Sequence, residues 1–158
     1  IRRHRHYSMT TENICIQKYR HSDREQILKV WERSVAATHH FLDPGDFEEI
    51  RKLVHGIDFD QFEVYCLKED KEVVGFIGLA DRKIEMLFLS PDHFGKGFGR
   101  KLVEFAVSAH QTDSVDVNEQ NRDAVEFYEK LGFMAYERRE TVDLGFEYPL
   151  LRMSLDRV

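Results

Sequence analysis

Hydrophobic positions recur along this chain with two periods, and the switches between them lay out the elements. From Asn13 to Tyr19, Ile14 and Ile16 alternate with polar neighbours, the period of a strand with one buried face. Ser22, followed three residues later by Glu25, has the form of a capping box. Ile27, Leu28, Trp31 and Val35 then fall on one helical face. A second helix is predicted from Pro44, a residue favoured in the first turn, to Gly56. Phe62–Leu67, Val73–Leu79 and Lys83–Leu89 read as three strands of an antiparallel meander. The polar turn Lys68-Glu69-Asp70-Lys71 joins the first two, and Ser90-Pro91 ends the third. An amphipathic helix follows from about Gly99 to His110, with Leu102, Phe105, Ala106 and Ala109 on one face. The remainder predicts a short strand at Ser114–Val117, a helix at Asn121–Leu131 stopped by Gly132, and closing strands at about Met134–Val142 and Tyr148–Leu155.

The resulting order, β-α-α-β-β-β-α-β-α-β-β, predicts an α/β (α+β) domain in which helices flank a mixed sheet. No repeat, low-complexity tract or Pro/Gly/Ser linker interrupts it, so residues 9–158 are expected to form one domain. Residues 1–8 differ, with three Arg, two His and no acidic residue ahead of Met9. They are expected to be a remnant of a cloning vector, with a short basic arm as the alternative.

Composition narrows the function. A length of 158 residues supports one substantial core, and the 42% apolar content is that of a globular protein. The net charge of −6 argues against a nucleic-acid binder, which needs clustered Lys and Arg, and favours cationic partners such as amines. No apolar run approaches the roughly 20 residues that span a bilayer, so no membrane partner is expected. Cys15 and Cys66 match no metal spacing, and both are expected to be buried free thiols in a cytoplasmic protein.

The candidate chemistry begins at Gly95-Lys96-Gly97-Phe98-Gly99, between a strand and a helix. A helix N-terminus presents unpaired N–H groups and partial positive charge, and glycine lets the backbone approach phosphate oxygens. A Walker loop would need Ser or Thr after Gly95-Lys96, where Gly97 stands. A dinucleotide fingerprint has another spacing and follows the first strand of a parallel unit. A tight turn with no ligand is the plainer alternative.

The downstream segment decides among these. Asn121-Arg122-Asp123-Ala124-Val125-Glu126-Phe127-Tyr128-Glu129-Lys130-Leu131-Gly132-Phe133 resembles the second signature of the GNAT (Gcn5-related) N-acetyltransferase superfamily, an Asn-opened helix carrying Phe-Tyr and ending in Gly-Phe. Phe94 to Gly99 resembles the family's Arg/Gln-x-x-Gly-x-Gly loop, and Trp31 to His39 is similar to a Trp-x-Arg-Ser-Val-x-Ala-Thr-His segment of bacterial members. The resemblance covers residues 13–156. One departure is Phe94, where the family has Arg or Gln. Backbone N–H groups of residues 95–100 are then expected to make most of the phosphate grip, with Lys96 and Arg100 pairing with the phosphates.

The resemblance implies an acetyl-CoA-dependent N-acetyltransferase with no metal, acting on a primary amine of a small molecule or peptide by direct attack, as monomer or homodimer. It implies that the fourth and fifth of about seven strands splay apart, with four helices around the sheet, and that pantetheine lies in the gap against Leu87, Phe88 and Leu89. Cofactor contacts are expected from Phe94, Gly95, Lys96, Gly97, Phe98, Gly99, Arg100, Asn121, Ala124, Phe127 and Tyr128. Tyr128 is expected to protonate the leaving sulfur, against a role as a packed helix tyrosine. Asn121 is expected to contact pantetheine, cap its helix, or both. Glu85 is expected to be the base, directly or through water, against a solvent-facing strand residue, with His39 and His40 as rivals. Acceptor contacts are expected from Trp31, Thr38, His39, His40, Asp143 and Tyr148, and Asp143 or Glu147 would hold a cationic acceptor unless they form a solvated turn. The alternative function is a non-catalytic acyl-CoA-binding regulatory module. Millimolar acetyl-CoA is expected to raise the melting temperature, whereas ATP and NAD are not; no shift with acetyl-CoA would refute the coenzyme assignment.

Overall fold

The computed structural model describes residues 13–140 and 147–155, so the basic segment 1–8 and Asp143 lie outside the described residues. Its elements run β1 Ile14–Lys18, α1 Arg24–Thr38, α2 Pro44–His55, β2 Glu63–Glu69, β3 Glu72–Ala80 and β4 Lys83–Leu89. They continue as α3 Phe98–His110, β5 Ser114–Asn118, α4 Arg122–Lys130, β6 Phe133–Arg139 and β7 Leu150–Leu155. The seven strands form one sheet in the order β1-β2-β3-β4-β5-β7-β6. Every neighbouring pair is antiparallel except β4 and β5. The predicted element order and fold class hold.

Each face of the sheet carries its own apolar layer. On one face Leu67, Ile77, Ile84, Val115 and Met153 pack with Leu102, Val103, Ala106 and Tyr128 of α3 and α4. On the other, Val64, Cys66 and Phe76 pack with Ile27, Val30, Trp31 and Val35 of α1. β3 is covered on both sides, and Val73 to Leu79 are all buried. The strand period read from the sequence therefore survives at the edge strand β1 and is replaced by a continuous apolar run at the centre.

Three local expectations are corrected. The cap of the first helix is not Ser22 with Glu25: a one-turn segment, His21–Asp23, precedes α1, and the Arg20 amide donates to Asp23 Oδ2 at 3.0 Å. Asp23 is drawn inward because Lys68 Nζ lies 3.0 Å from its other oxygen, with both side chains under a tenth exposed. On α3, Ala109 is exposed, and Phe98, Leu102, Val103 and Ala106 form the buried face. Cys15 is exposed on the edge strand, whereas Cys66 is buried and its thiol is pushed up to about 12 by burial and then by the Asp23 charge. A thiol held that high stays protonated and unreactive at neutral pH.

The Asp23–Lys68 pair joins the start of α1 to β2. Burial works against the Asp23 charge, but the Arg20 amide and the Lys68 ammonium outweigh it and hold the carboxyl below its usual value. Its stabilisation is thus present above about pH 4 and fades as pH falls through the lower folded-state value. Asp23→Ala strands the Lys68 charge and is expected to cost about 3–5 kcal/mol in urea unfolding. Adding Lys68→Met to that variant should recover most of the loss.

Candidate active site

The sheet comes apart between β4 and β5. Their parallel pairing consists of Lys83 with Ser114 and Ile84 with Val115, and then it stops. β4 stays with β3 as far as Leu89 opposite Gly75, while β5 stays with β7 as far as Asn118 opposite Leu150. The parting begins at a bulge. Ile84 pairs with Leu79 and Met86 with Gly78, so Glu85 has no residue opposite it. A bulge bends its strand and raises the local twist. The strands are held together at the closed end by Lys83 Nζ, 2.7 Å from Asp116 Oδ2. Burial disfavours that ammonium, but Asp116 and then Glu85 outweigh it and keep the lysine charged.

A cavity of about 540 Å³ lies against β4 where the strands part. That volume is within the range of about 300–1,000 Å³ usual for small-molecule sites. Leu87, Phe88 and Leu89 of β4 line one wall; Phe94, Gly95 and the segment Gly97 to Arg100 line the second; Asn121, Ala124, Phe127 and Tyr128 of α4 and its cap line the third. Every residue expected at the cofactor is there except Lys96, which is exposed on the loop and outside the lining. Four further lining residues were not singled out from the sequence: Ser34, Asp123, Lys130 and Leu131. Ser34 was legible in principle, since it precedes Thr38 by one helical turn on the same face.

The loop owes its shape to backbone conformation. Gly95 and Gly97 have φ of 79° and 81°, and no atom would crowd a Cβ at either, so the left-handed backbone alone demands glycine. Gly97 caps α3, whose first intrahelical bond runs from the Lys101 amide to the Gly97 carbonyl at 3.1 Å. The N–H groups ahead of it have no partner inside the helix, and no acidic residue lies in that turn. Gly99 has a different role. A Cβ there would stand 3.3 Å from the Phe127 ring, so its absence lets α3 approach α4 closely. Of the nearby cations, Arg100 is engaged by Glu104 at 2.8 Å. Phe94 is 43% exposed and gives the cavity edge an apolar side chain.

Tyr128 is 5% exposed, edge-on to Phe127 and Phe133 with centroids 5.0 and 5.5 Å away. Burial holds its hydroxyl above the usual tyrosine range, so it carries its proton throughout the neutral region. Asn121 Oδ1 accepts the Ala124 amide at 3.2 Å; the residue caps α4 and lines the cavity at once.

On the acceptor side, Thr38 and His39 line the cavity, whereas Trp31, His40 and Tyr148 do not. Trp31 is a core residue stacked on Phe47 and edge-on to Phe88, so it supports the β4 wall from behind. Tyr148 ties the start of β7 to the α1–α2 connection: its hydroxyl accepts the Asp43 amide at 3.0 Å and meets Asp46 Oδ2 at 2.6 Å. Glu85 is exposed at the bulge and outside the lining residues, and Glu147 is exposed. Among the described residues, no group of three His, Cys, Asp or Glu is placed to hold a metal ion, and no helix is long and apolar enough to cross a membrane.

A loop-capped helix and an Asn-capped helix thus lie side by side on one face of the split sheet, and the Acetyltransferase (GNAT) domain model matches residues 24–155 of this chain. The chain belongs to the GNAT acetyltransferase family. It is 40% identical over 141 residues to the peptidyl-lysine N-acetyltransferase YjaB of Escherichia coli K12, covering 89% of this chain and 96% of that one. The peptidyl-lysine N-acetyltransferase YiaC of the same organism is 24% identical over 119 residues, 75% of this chain and 82% of its own. The solution structure of apo YjaB superposes with a TM-score of 0.83 at 38% identity, over 92% of this chain and 99% of that one. PaiA N-acetyltransferase from Thermoplasma acidophilum, solved with coenzyme A, shares the fold with a TM-score of 0.67 at 21% identity, over 91% and 99% of the two chains. The present chain is an acyltransferase whose acyl donor is acetyl-CoA.

Gly97→Ala forces the cap out of its left-handed conformation or strains it by about 1–2 kcal/mol, and is expected to weaken acetyl-CoA binding about tenfold in calorimetric titration. Wild-type affinity in that variant would mean that the loop does not form the phosphate grip.

Proposed function

We propose that this acetyltransferase acts on the ε-amine of lysine in a protein or peptide, with small primary amines as the second class of acceptor. The observation that carries the reading is the near full-length similarity to YjaB, whose name specifies peptidyl lysine, on a chain whose own cavity is open beside the splayed strands. The net charge of −6 also favours a cationic acceptor.

The chemistry follows from the residues around the gap. The β5-facing edge of β4 has no strand partner beyond Ile84, so pantetheine adds to it as a strand would. The α3 N-terminus and the backbone of Gly95 to Arg100 hold the pyrophosphate. The neutral amine nitrogen attacks the thioester carbon, and a backbone N–H near Leu89 meets the developing oxyanion. As the C–N bond forms, the C–S bond breaks; Tyr128 gives its proton to the departing sulfur, and the nitrogen loses one of its own. Glu85, outside the cavity wall, receives that proton through water and not by direct contact. The buried, protonated Tyr128 at the wall favours catalysis over a coenzyme-binding regulatory module.

Tyr128→Phe is expected to lower kcat roughly 100-fold while acetyl-CoA affinity stays within about twofold. Free-thiol release against lysine peptides and small amines should show the higher kcat/KM for the peptides. Equal turnover by the phenylalanine variant would remove Tyr128 as the proton donor, and preference for small amines would reverse the order of acceptors.

A further inference from the structure

The grip on the coenzyme leaves the last turn of α1 unexplained, although Ser34, Thr38 and His39 all reach the cavity wall from it. The Thr38 hydroxyl oxygen lies 2.8 Å from the Ser34 carbonyl oxygen and 2.7 Å from Nδ1 of His39. A hydroxyl has one proton, and a carbonyl can only accept. The Thr38 proton therefore goes to Ser34, and the second contact needs its hydrogen from the imidazole. His39 must carry that hydrogen on Nδ1 and donate it to Thr38, which leaves the lone pair on Nε2. Burial and then the neighbouring His40 hold His39 down to about 4, so this ring is neutral at neutral pH. Its orientation is held from outside the cavity lining. The ring packs on Phe41 at 5.2 Å, and Phe41 meets Tyr148 edge-on at 5.7 Å. The Tyr148 hydroxyl is itself fixed by the Asp43 amide and Asp46.

We infer that Thr38 locks His39 in the Nδ1–H tautomer so that Nε2 accepts an N–H of the acceptor amine and turns the nitrogen lone pair toward the thioester. The inference rests on the transferase reading above and adds its acceptor side: His39 touches substrate, and Thr38 is a positioning residue. It also specifies the substrate class. A neutral primary amine has two hydrogens, one to give to Nε2 and one to lose as the amide forms. A secondary amine has only one, so the hydrogen held by Nε2 would also have to be the one lost, to a ring that burial makes a poor base. Unmodified lysine is thereby preferred over Nε-methyl-lysine, and the preference belongs to His39.

The test begins with the ring itself. Long-range proton–nitrogen NMR of the full chain should find His39 as the Nδ1–H tautomer in wild type and Thr38→Ser, and as the ordinary Nε2–H tautomer in Thr38→Val. In kinetics with a lysine peptide, Thr38→Val and His39→Ala should each raise KM about tenfold, the worth of one well-made hydrogen bond. Thr38→Ser should restore the wild-type value, and acetyl-CoA should still raise the melting temperature of all three variants. His39→Ala should also lose most of the discrimination against Nε-methyl-lysine peptide. An Nε2–H ring in wild type, or an unchanged KM in Thr38→Val, overturns the inference while leaving the transferase reading in place. Failure of acetyl-CoA to stabilise the wild-type protein overturns the transferase reading first, and the amine-binding role with it.

Discussion

Strand pairing across the middle of this protein's sheet is limited to two residue pairs, and the site exists because it stops there. Parallel pairing between β4 and β5 ends at Ile84 and Val115, leaving backbone donors and acceptors along the rest of β4 without a strand. Such an edge inside a protein needs a partner, and an extended ligand can supply the pairing that a strand would. The bulge at Glu85 bends β4 away, the Lys83–Asp116 pair closes the near end, and α3 and α4 cover the far end from one face. The cavity is therefore a consequence of incomplete pairing, not a hollow carved into a finished core.

The packing around the gap has to be unequally firm for this to work. On the far side of the sheet, α1 is anchored by the buried Asp23–Lys68 pair and by Trp31, which stacks on Phe47 and backs Phe88. On the near side, Gly99 brings α3 against Phe127 with no side chain between them. The two helices of the coenzyme grip are thus set by a missing Cβ, and the acceptor-side helix by a buried charge pair. Arg33 links the two regions, reaching from α1 to Ser90 at 3.2 Å and to Asp92 at 3.0 Å just ahead of the glycine loop.

Much of the coenzyme side was legible in the chain because its requirements are local. A left-handed backbone at Gly95 and Gly97 admits little but glycine, and an Asn at the head of α4 caps it through a bond three residues long. Such constraints act over a few residues and leave their mark in the order of residue types. The errors share the opposite character. Ser22 has the right spacing for a cap, yet Asp23 takes the inward position because Lys68, from a strand far along the chain, needs its charge. Ala109 extends the apolar stripe of α3 by pattern, yet it is exposed, and Val103 is buried in the face that α3 turns to the sheet.

The same division applies to function. By itself the sequence determined the order of elements, the glycine turn that opens α3, the Asn-capped helix with Tyr128, and the family, since each depends on residues near one another in the chain. Only the tertiary structure decided which acceptor-side candidates meet the cavity. Thr38 and His39 do, while Trp31, His40, Tyr148 and Glu85 lie behind or beside it. The hydrogen bond that assigns the His39 proton joins consecutive residues, but its meaning depends on a wall built from β4, α3 and α4. Spacing specifies what one turn of backbone can do; which side chains share a cavity is set by how helices and strands distant in sequence pack, and no local pattern records that.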